Sequence, residues 1–300
     1  VITGYTLDNL KTIVGSNSID SRSFYRRVVR GETNVGYGFR NQDDDKPKSG
    51  DNPCTLCYSQ DDKVTVPLDY IPENDRKNSE LEAAKDLQNR LLPKTLPAIN
   101  HLDIAGFLRT STEVGGDYYD FFVQDDDSLY IICGDATGHG TPSGMLVSIT
   151  KAGIIGLPKL APNKMLSELN RVVKKVDLGI LRMSLNISLI KDNKLTLSSA
   201  GMPPYYIYRA ASNTTEEIQI SGVPLGSFND AYFDEISTTF NAGDILVIIS
   251  DGLPEAPNLA GELFDYQKLQ DLITTYGNLS AQEVIDQLMV EADSWLSGNH

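Results

Sequence analysis

The sequence predicts an α+β fold in which antiparallel sheets are covered by layers of helices. Short apolar segments of strand-like pattern follow one another with brief turns between them, which favours antiparallel pairing. Helical segments come in consecutive pairs between these runs, as expected for helices packed over sheets. The 300 residues are 40% hydrophobic and 22% charged, a globular composition large enough for one large domain or two smaller ones.

Residues 1–78 lack the regular patterns of the rest. They contain an acidic run at 43–45, a stretch rich in Pro, Gly, Ser and Lys at 46–53, and only short apolar pieces such as 64–66. We predict a small irregular region, part of a sensor or a linker, with a loose loop near 41–53.

Two cysteines of this region, Cys54 and Cys57, form a lone Cys-x-x-Cys pair. Zinc usually takes four ligands, no second pair exists, and the histidines (His101, His139, His300) are scattered. We therefore favour two loop cysteines without a special role, and leave a zinc or redox role open. Three cysteines in the whole chain do not make a disulfide framework, which favours a reducing, cytoplasmic location.

A helix is predicted over 79–92. Ser79 and Glu82 have the spacing of a capping box, and Pro93 is expected to stop the helix. Its apolar positions fall on one side and are Leu81, Ala84, Leu87 and Leu91. We expect a linker helix that pairs with another helix in a homodimer, or packs on the domain that follows over 93–300.

Beyond this helix, strand-like and helical patterns alternate. The predicted strands are 101–109, 128–133, 185–190, 194–199, 205–208, 217–220, 236–240 and 244–249. The predicted helices are 141–156, 163–176, 266–276 and 280–296. Asp192 and Asn193 are placed to form a hairpin turn between two of the strands.

The charge balance limits the partners of the chain. Its 41 acidic and 26 basic residues give a formal net charge of −15, which argues against nucleic acid as the main partner. No run approaches the ~20 apolar residues that span a bilayer, and no signal peptide is visible. Because the sequence starts at Val1, we expect a fragment whose parent protein has room for a sensor or membrane domain.

Three short acidic motifs carry the functional signal. They are VGGDYYD at 114–120, GDATGHG at 134–140 and SDG at 250–252. Each places a carboxylate beside glycine, and two follow apolar runs that predict buried strands. A fold delivers carboxylates to one end of a sheet in this way, where they can share a hard divalent cation.

Asp135 is the clearest case. The apolar run 129–133 predicts a strand, and the glycines of the 134–140 motif allow tight turns and close approach to a ligand. Pro142 suits the first turn of the helix that follows. Strand, carboxylate, glycine loop and helix N-terminus together suit a cation and its phosphate-bearing ligand. The alternative is a structural loop that Asp135 caps.

Asp251 repeats this arrangement after the strand-like run 244–249, and Asp117 follows a Gly-Gly pair. Asp120 is a further candidate ligand. Because it lies three residues beyond Asp117, we favour a role in which it caps or braces the strand. His139 is assigned no role, because a loop histidine between glycines is at least as often exposed to solvent.

The type of ligand indicates the metal. Carboxylates without a nearby histidine or cysteine favour Mg²⁺ or Mn²⁺ over zinc. With one carboxylate as a bridge, two ions would lie ~3.5–4 Å apart, as in phosphatases and nucleases, and a water between them would be the nucleophile. No Gly-x-Ser-x-Gly elbow and no phosphate-binding P-loop offers a competing chemistry.

With these motifs in this order, residues from about 80 to 300 resemble the PP2C-like (PPM) metal-dependent protein serine/threonine phosphatases, in particular their bacterial RsbU and SpoIIE branch. The motifs are LQNRLLP at 87–93, VGGDYYD at 114–120, GDATGHG at 134–140, SAGMPP at 199–204, GVPLG at 222–226, and GD at 243–244 leading to SDGLPEA at 250–256. Each motif is weak alone, whereas six in order are specific. The resemblance implies a sandwich of two antiparallel sheets flanked by helices.

The resemblance also implies roles for single residues. Asp135 would bridge two Mn²⁺ or Mg²⁺ ions, Asp117 and the backbone carbonyl of Ala136 would serve one ion, and Asp251 the other. The implied substrate is a phosphoserine or phosphothreonine on a STAS-type anti-sigma-factor antagonist. The helices after the Asp135 loop would switch between inactive and active states, with input from the helix at 79–92.

Two departures from the family pattern stand out. Met202 replaces the histidine usual in the Ala-Gly-His-Pro-Pro stretch, so that position is not expected to be essential. The family takes a further metal aspartate from an Asp-Asp-x-Thr strand that would begin where this chain ends, at His300. We therefore expect a phosphatase domain truncated at its C-terminus, one aspartate short, with weak or incomplete metal occupancy.

Three functions stay in competition at this point. A metal-dependent phosphoserine phosphatase is favoured. A catalytically incomplete PP2C-like module for regulation or binding is the alternative, because of the missing carboxylate. A nuclease or other phosphodiesterase fits poorly with the acidic surface.

Overall fold

A computed structural model describes residues 36–39, 54–57, 63–66, 85–86, 88–109 and 115–296. The chain divides into two compact units, Val1–Glu80 and Leu81–His300. No helix in the described part is long and apolar enough to cross a membrane.

The first unit contains a three-stranded antiparallel sheet. Its strands are β1 (Gly36–Phe39), β2 (Cys54–Cys57) and β3 (Lys63–Val66), paired in the order β1-β2-β3. The prediction of loop cysteines was therefore wrong, since Cys54 and Cys57 are the two ends of β2. Strands of four residues are too short for alternation to reveal them. The loop predicted near 41–53 lies outside the described residues.

The second unit is built on two antiparallel sheets. The larger has the order β10-β7-β6-β5-β4, and the smaller the order β11-β8-β9. The strands of the larger sheet are β4 (Asp117–Val123), β5 (Leu129–Ala136), β6 (Met183–Lys191), β7 (Lys194–Ala200) and β10 (Glu235–Thr239). Those of the smaller sheet are β8 (Tyr205–Arg209), β9 (Thr214–Ile218) and β11 (Ile245–Val247).

Four helices cover the outer faces of these sheets, and they are α1 (Thr141–Gly156), α2 (Pro162–Val176), α3 (Tyr266–Tyr276) and α4 (Ala281–Leu296). Leu146 of α1 and Leu166 of α2 pack on Ile187 of the larger sheet. Leu269 and Leu288, from α3 and α4, share a core with aromatic residues of β8.

The two sheets pack face to face. The apolar layer between them joins Leu195 and Leu197 of the larger sheet to Tyr205 and Ile207 of the smaller one, all fully buried. Burial of each such side chain contributes roughly 1.5–3 kcal/mol. The predicted α+β fold, a sandwich of two antiparallel sheets flanked by helices, is confirmed.

Before β4, residues 88–91 are helical, and the chain leaves the helix just ahead of Pro93. Leu91 and Leu92 pack against the core under α1 and α2. The predicted N-cap Ser79 and the apolar positions Leu81, Ala84 and Leu87 lie outside the described residues.

Strand predictions failed in two places. The segment 101–109 forms only an isolated bridge between Ile99 and Leu102, although its polarity alternates. Gly106 lies so close to the ring of Tyr119 that a Cβ there would be 2.8 Å from it; the segment packs on that ring instead of joining a sheet. The strand predicted at 217–220 is observed at 214–218, so it begins three residues and ends two residues earlier.

Candidate active site

Asp117 and Asp135 lie directly opposite each other on neighbouring strands. Asp117 begins β4, Asp135 lies at the end of β5, and the register pairs them. Directly opposed residues have Cβ atoms about 4.5–5.5 Å apart. Their neighbours Tyr118 and Ala136 belong to the core beneath α1 and α2, so by strand alternation both aspartates face the second sheet. The two carboxylates therefore lie side by side on one face.

The loop after Asp135 leads directly into α1. Gly138 and Gly140 adopt positive φ angles of 84° and 82°, which residues with a Cβ rarely adopt. Pro142 occupies the first turn of the helix, as predicted from the sequence. His139 in this loop is exposed.

Asp251 comes from the other sheet, four residues after β11. Its charge raises the pKa of both Asp117 and Asp135, whereas the Ser250 side chain lowers the pKa of Asp117. The structure thus brings together all three aspartates that the sequence singled out, although they lie up to 134 residues apart.

The environment of these carboxylates favours their neutral forms when no cation is present. Burial, then Asp117 and Asp251, raise the pKa of Asp135 to about 7. Burial raises the pKa of Asp117 as well, the Ser250 side chain lowers it, and the charge of Asp251 raises it. A cation bound among these partly buried carboxylates would stabilise their ionised forms.

Gly116 leaves the space that this arrangement needs. A Cβ on Gly116 would collide with the carbonyl oxygen of Ala136 and with Oδ1 of Asp135, and the Ala136 amide donates to the Gly116 carbonyl at 3.0 Å. Two carboxylates and a carbonyl oxygen around a bare glycine form a hard oxygen donor set, which suits Mg²⁺ or Mn²⁺.

The carboxylate side chains of the site do not converge on a single position for an ion. In the described part of the chain, no group of three or more His, Cys, Asp or Glu side chains is close enough to hold one ion. The oxygen donors fit the predicted metal in their chemistry.

The site offers no competing cysteine nucleophile. Cys133 lies on β5 two residues before Asp135, and burial, followed by the charges of Asp117 and Asp135, raises its pKa to about 12. The thiol therefore stays protonated and unreactive.

Asp120 lies on the opposite face of β4 from Asp117 and braces the fold. It accepts hydrogen bonds from the Tyr118 hydroxyl at 2.8 Å and the Phe121 amide at 2.9 Å. Its Oδ2 also forms an ion pair with Lys151 of α1 at 2.6 Å. Lys151 donates in addition to the Leu91 carbonyl at 2.5 Å, so one lysine joins α1, β4 and the helical segment 88–91.

Gln88 holds the glycine pair that precedes Asp117. Its side-chain amide donates to the Gly115 carbonyl at 2.6 Å and accepts from the Gly115 amide at 3.0 Å. Ser143, in the first turn of α1, donates to the Gly140 carbonyl at 2.8 Å and reaches the Gly115 carbonyl at 3.4 Å. Sequence reasoning gave Gln88 no role, because a helical glutamine is normally exposed and nothing in the local pattern marks it as buried.

Met202, where the resembling family usually has histidine, is 4% exposed. Its amide donates to the Ser199 hydroxyl at 3.3 Å. The position fills the turn between β7 and β8.

Acidic side chains at one end of a β-sandwich flanked by helices form the candidate active site of this fold. A family model described as Stage II sporulation protein E (SpoIIE) matches residues 125–300, and the chain belongs to this family.

The chain is also similar to two curated phosphatases. The chain is 31% identical over 215 residues to phosphoserine phosphatase RsbU of Bacillus subtilis (strain 168), covering 70% of this chain and 63% of that protein. It is 26% identical to phosphoserine phosphatase RsbP of the same organism, covering 63% of this chain and 48% of RsbP. The chain thus spans less than two thirds of these relatives.

Solved structures share the fold. The SiaA-PP2C domain of Pseudomonas aeruginosa superposes with a TM-score of 0.64 at 17% identity, covering 75% of this chain and 92% of that domain. The PP2C phosphatase domain of SpoIIE from Bacillus subtilis, solved with a fragment of its regulatory domain, has a TM-score of 0.50 at 22% identity. That superposition covers 62% of this chain and 55% of the other.

Proposed function

We propose that this chain is a metal-dependent protein phosphatase that hydrolyses phosphoserine or phosphothreonine on a regulatory protein. The observation that carries the proposal is the pairing of Asp117 with Asp135, with Asp251 near enough to raise the pKa of both. Two relatives named phosphoserine phosphatases support the same activity.

Four residues would hold the metal in this proposal. Asp135 would bridge two Mn²⁺ or Mg²⁺ ions, with Asp117 and the Ala136 carbonyl on one ion and Asp251 on the other. When bound, such ions lower the pKa of a coordinated water, which then serves as the nucleophile in two-metal phosphatases.

The other residues of the site position these ligands. Ser250 favours the ionised form of Asp117, because its side chain lowers the pKa of that carboxyl. Gln88 fixes the backbone at Gly115, two residues before Asp117. Gly116 admits the Ala136 carbonyl. Orientation of this kind lowers the reorganisation needed in the transition state.

The proposed partner is a phosphorylated STAS-type antagonist of an anti-sigma factor, encountered in the cytoplasm. Residues 1–78 would form a sensor or linker region, 79–92 a linker helix that supports a homodimer, and 93–300 the phosphatase domain. Support comes from membership of the SpoIIE family and from the resemblance of the motifs to the RsbU branch.

The test is a panel of substrates offered to the full chain with and without Mn²⁺. We expect phosphate release from a phosphoserine peptide and from an aryl phosphate monoester with Mn²⁺, and none from a phosphodiester. Calorimetry with Mn²⁺ addresses the alternative of a catalytically incomplete binding module. Mn²⁺ binding without turnover of any monoester would favour that module, and turnover of the diester alone would favour a phosphodiesterase.

A further inference from the structure

The α2 helix and the segment after it carry positive charge on a strongly acidic chain. Residues 162–182 contain five basic and two acidic side chains, whereas the whole chain has 26 basic and 41 acidic. The basic residues are Lys164, Arg171, Lys174, Lys175 and Arg182. Local charge opposite to that of the whole molecule steers an oppositely charged partner to one place.

The C-terminal end of this helix lies beside the candidate active site. The α1 helix starts in the Asp135 loop and leads away from it, and α2 packs on α1 before the chain returns to β6. The return is fixed by the Arg182 carbonyl, which accepts from the amide and hydroxyl of Thr137 at 2.8 and 2.9 Å. Thr137 is two residues from Asp135, and Val173 of α2 and Arg182 both lie against Gly226. This end of α2 therefore adjoins the loop that follows Asp135.

The charges at this end are free for a partner. Arg171 is paired with Glu168 in the same helix, and the Arg182 guanidinium donates to the carbonyls of Gly179 and Leu181. Lys174 and Lys175 form no ion pair with any described residue. Those two lysines are the ones available to an incoming anion.

Exposed apolar side chains lie on the two segments that adjoin this end of α2. Ile180 is 86% exposed and Phe228 is 64% exposed. The Phe228 loop is held on α2 by Asn170, which donates to the Phe228 carbonyl at 2.8 Å and accepts from the Gly226 amide at 2.8 Å. Large apolar side chains beside charged ones are typical of protein–protein contacts rather than of a site for free phosphate.

We propose that Lys174 and Lys175, with the apolar side chains beside them, form a docking surface for an acidic face of the phosphoprotein substrate. This inference rests on the proposed function, since it describes how the same site selects its substrate. The opposite end of α2 is unsuitable, because the Asn163 amide there already meets the carboxylate of Glu235.

The test uses two fluorescent phosphoserine peptides of about 20 residues, which extended span about 65 Å. One has glutamates on both sides of the phosphoserine, and the other has glutamines. Fluorescence anisotropy at low ionic strength measures binding to the full chain, and phosphate release with Mn²⁺ is measured in parallel. We expect the wild type to bind the acidic peptide about fivefold more tightly, a preference that salt removes.

The variant Lys174→Gln/Lys175→Gln should lose this preference, whereas Lys164→Gln, at the other end of the same helix, should keep it. Thermal unfolding of each variant checks the fold, because lysines near a helix C-terminus also interact with the helix dipole. An equal preference in the double variant and the wild type, or equal loss in the Lys164 variant, overturns the docking surface. So does lysine-dependent binding to phosphatidylserine vesicles without any preference between the peptides.

Binding and turnover separate the two proposals. Hydrolysis of both peptides without a binding preference would keep the phosphatase and remove the docking surface. Lysine-dependent binding of the acidic peptide without hydrolysis would keep the surface and remove the phosphatase.

Discussion

At the scale of single residues, the site depends on oxygen atoms that meet around a glycine. Gly116 lacks the Cβ that would strike the Ala136 carbonyl and the Asp135 carboxylate. In the metal-free protein no cation balances the charge of these carboxylates. Burial and their mutual repulsion then raise the pKa of both Asp117 and Asp135.

Gly116→Ala should damage the site more than the fold. Displacing the Ala136 carbonyl and Asp135 should lower phosphatase activity at least about tenfold, with an overpacking cost of about 1–3 kcal/mol. Phosphate release and urea unfolding measure the two effects. The matched control is Gly156→Ala, where an added Cβ meets nothing within 4 Å; equal activity in both variants would contradict this account.

Asp135 should make the metal-free protein less stable as the pH rises. Burial and the neighbouring aspartates raise the pKa of Asp135 in the folded state to about 7, from the ordinary value of 3.8 for an aspartate. Between those values the folded state binds the proton more tightly than the unfolded state. The stabilisation is therefore complete below pH ~4 and lost as the pH rises through ~7.

Thermal unfolding in a chelator from pH 5 to 8 checks this sign. Asp135→Asn should flatten the decline in stability, whereas Asp125→Asn, at a fully exposed position, should leave it unchanged. A decline as steep in Asp135→Asn as in the wild type would show that another group is responsible.

At the scale of elements, one partly buried lysine joins three pieces of the chain. Lys151 of α1 contacts Asp120 of β4 and the carbonyl of Leu91, at the end of the helical segment that also carries Gln88. A shift of that segment would therefore disturb the contacts both with α1 and with the Gly115 backbone.

Lys151→Met should destabilise the domain by about 2–3 kcal/mol. Breaking a fully buried pair costs roughly 3–5 kcal/mol, and the side chains here are 20% and 6% exposed. Lys191→Met is the control, since its ion pair with Asp126 is about half exposed and should contribute much less. Urea denaturation measures both, and similar losses would contradict a special role for Lys151.

The helices were predictable from the sequence because their signals are local. The predicted helices 141–156 and 266–276 match α1 and α3, and the other two differ by one residue at their start. The hairpin at Asp192 also matches, with a positive φ of 51°. Strand β4 was not predicted, because its mixture of acidic and aromatic residues hides the alternation that only the packed sheet reveals.

At the scale of the whole molecule, the three aspartates were found from sequence but their neighbours were not. An apolar run followed directly by Asp and Gly can be recognised in the sequence. The pairing of Gln88 with Gly115 and of Lys151 with Asp120 spans 27 and 31 residues, and no local pattern encodes such contacts. The closeness of α2 to the candidate site likewise depends on a contact that no local pattern encodes, the hydrogen bond from Thr137 to the Arg182 carbonyl.

The central claim is that Asp135 holds the metal of a phosphatase. The most direct measurement is the rate of phosphate release from a phosphoserine peptide as Mn²⁺ is added, for the wild type and for Asp135→Asn. The account predicts Mn²⁺-dependent release by the wild type and a loss of at least about a hundredfold in the variant, because the bridging ligand is gone. Mn²⁺-dependent release by Asp135→Asn at the wild-type rate would contradict it.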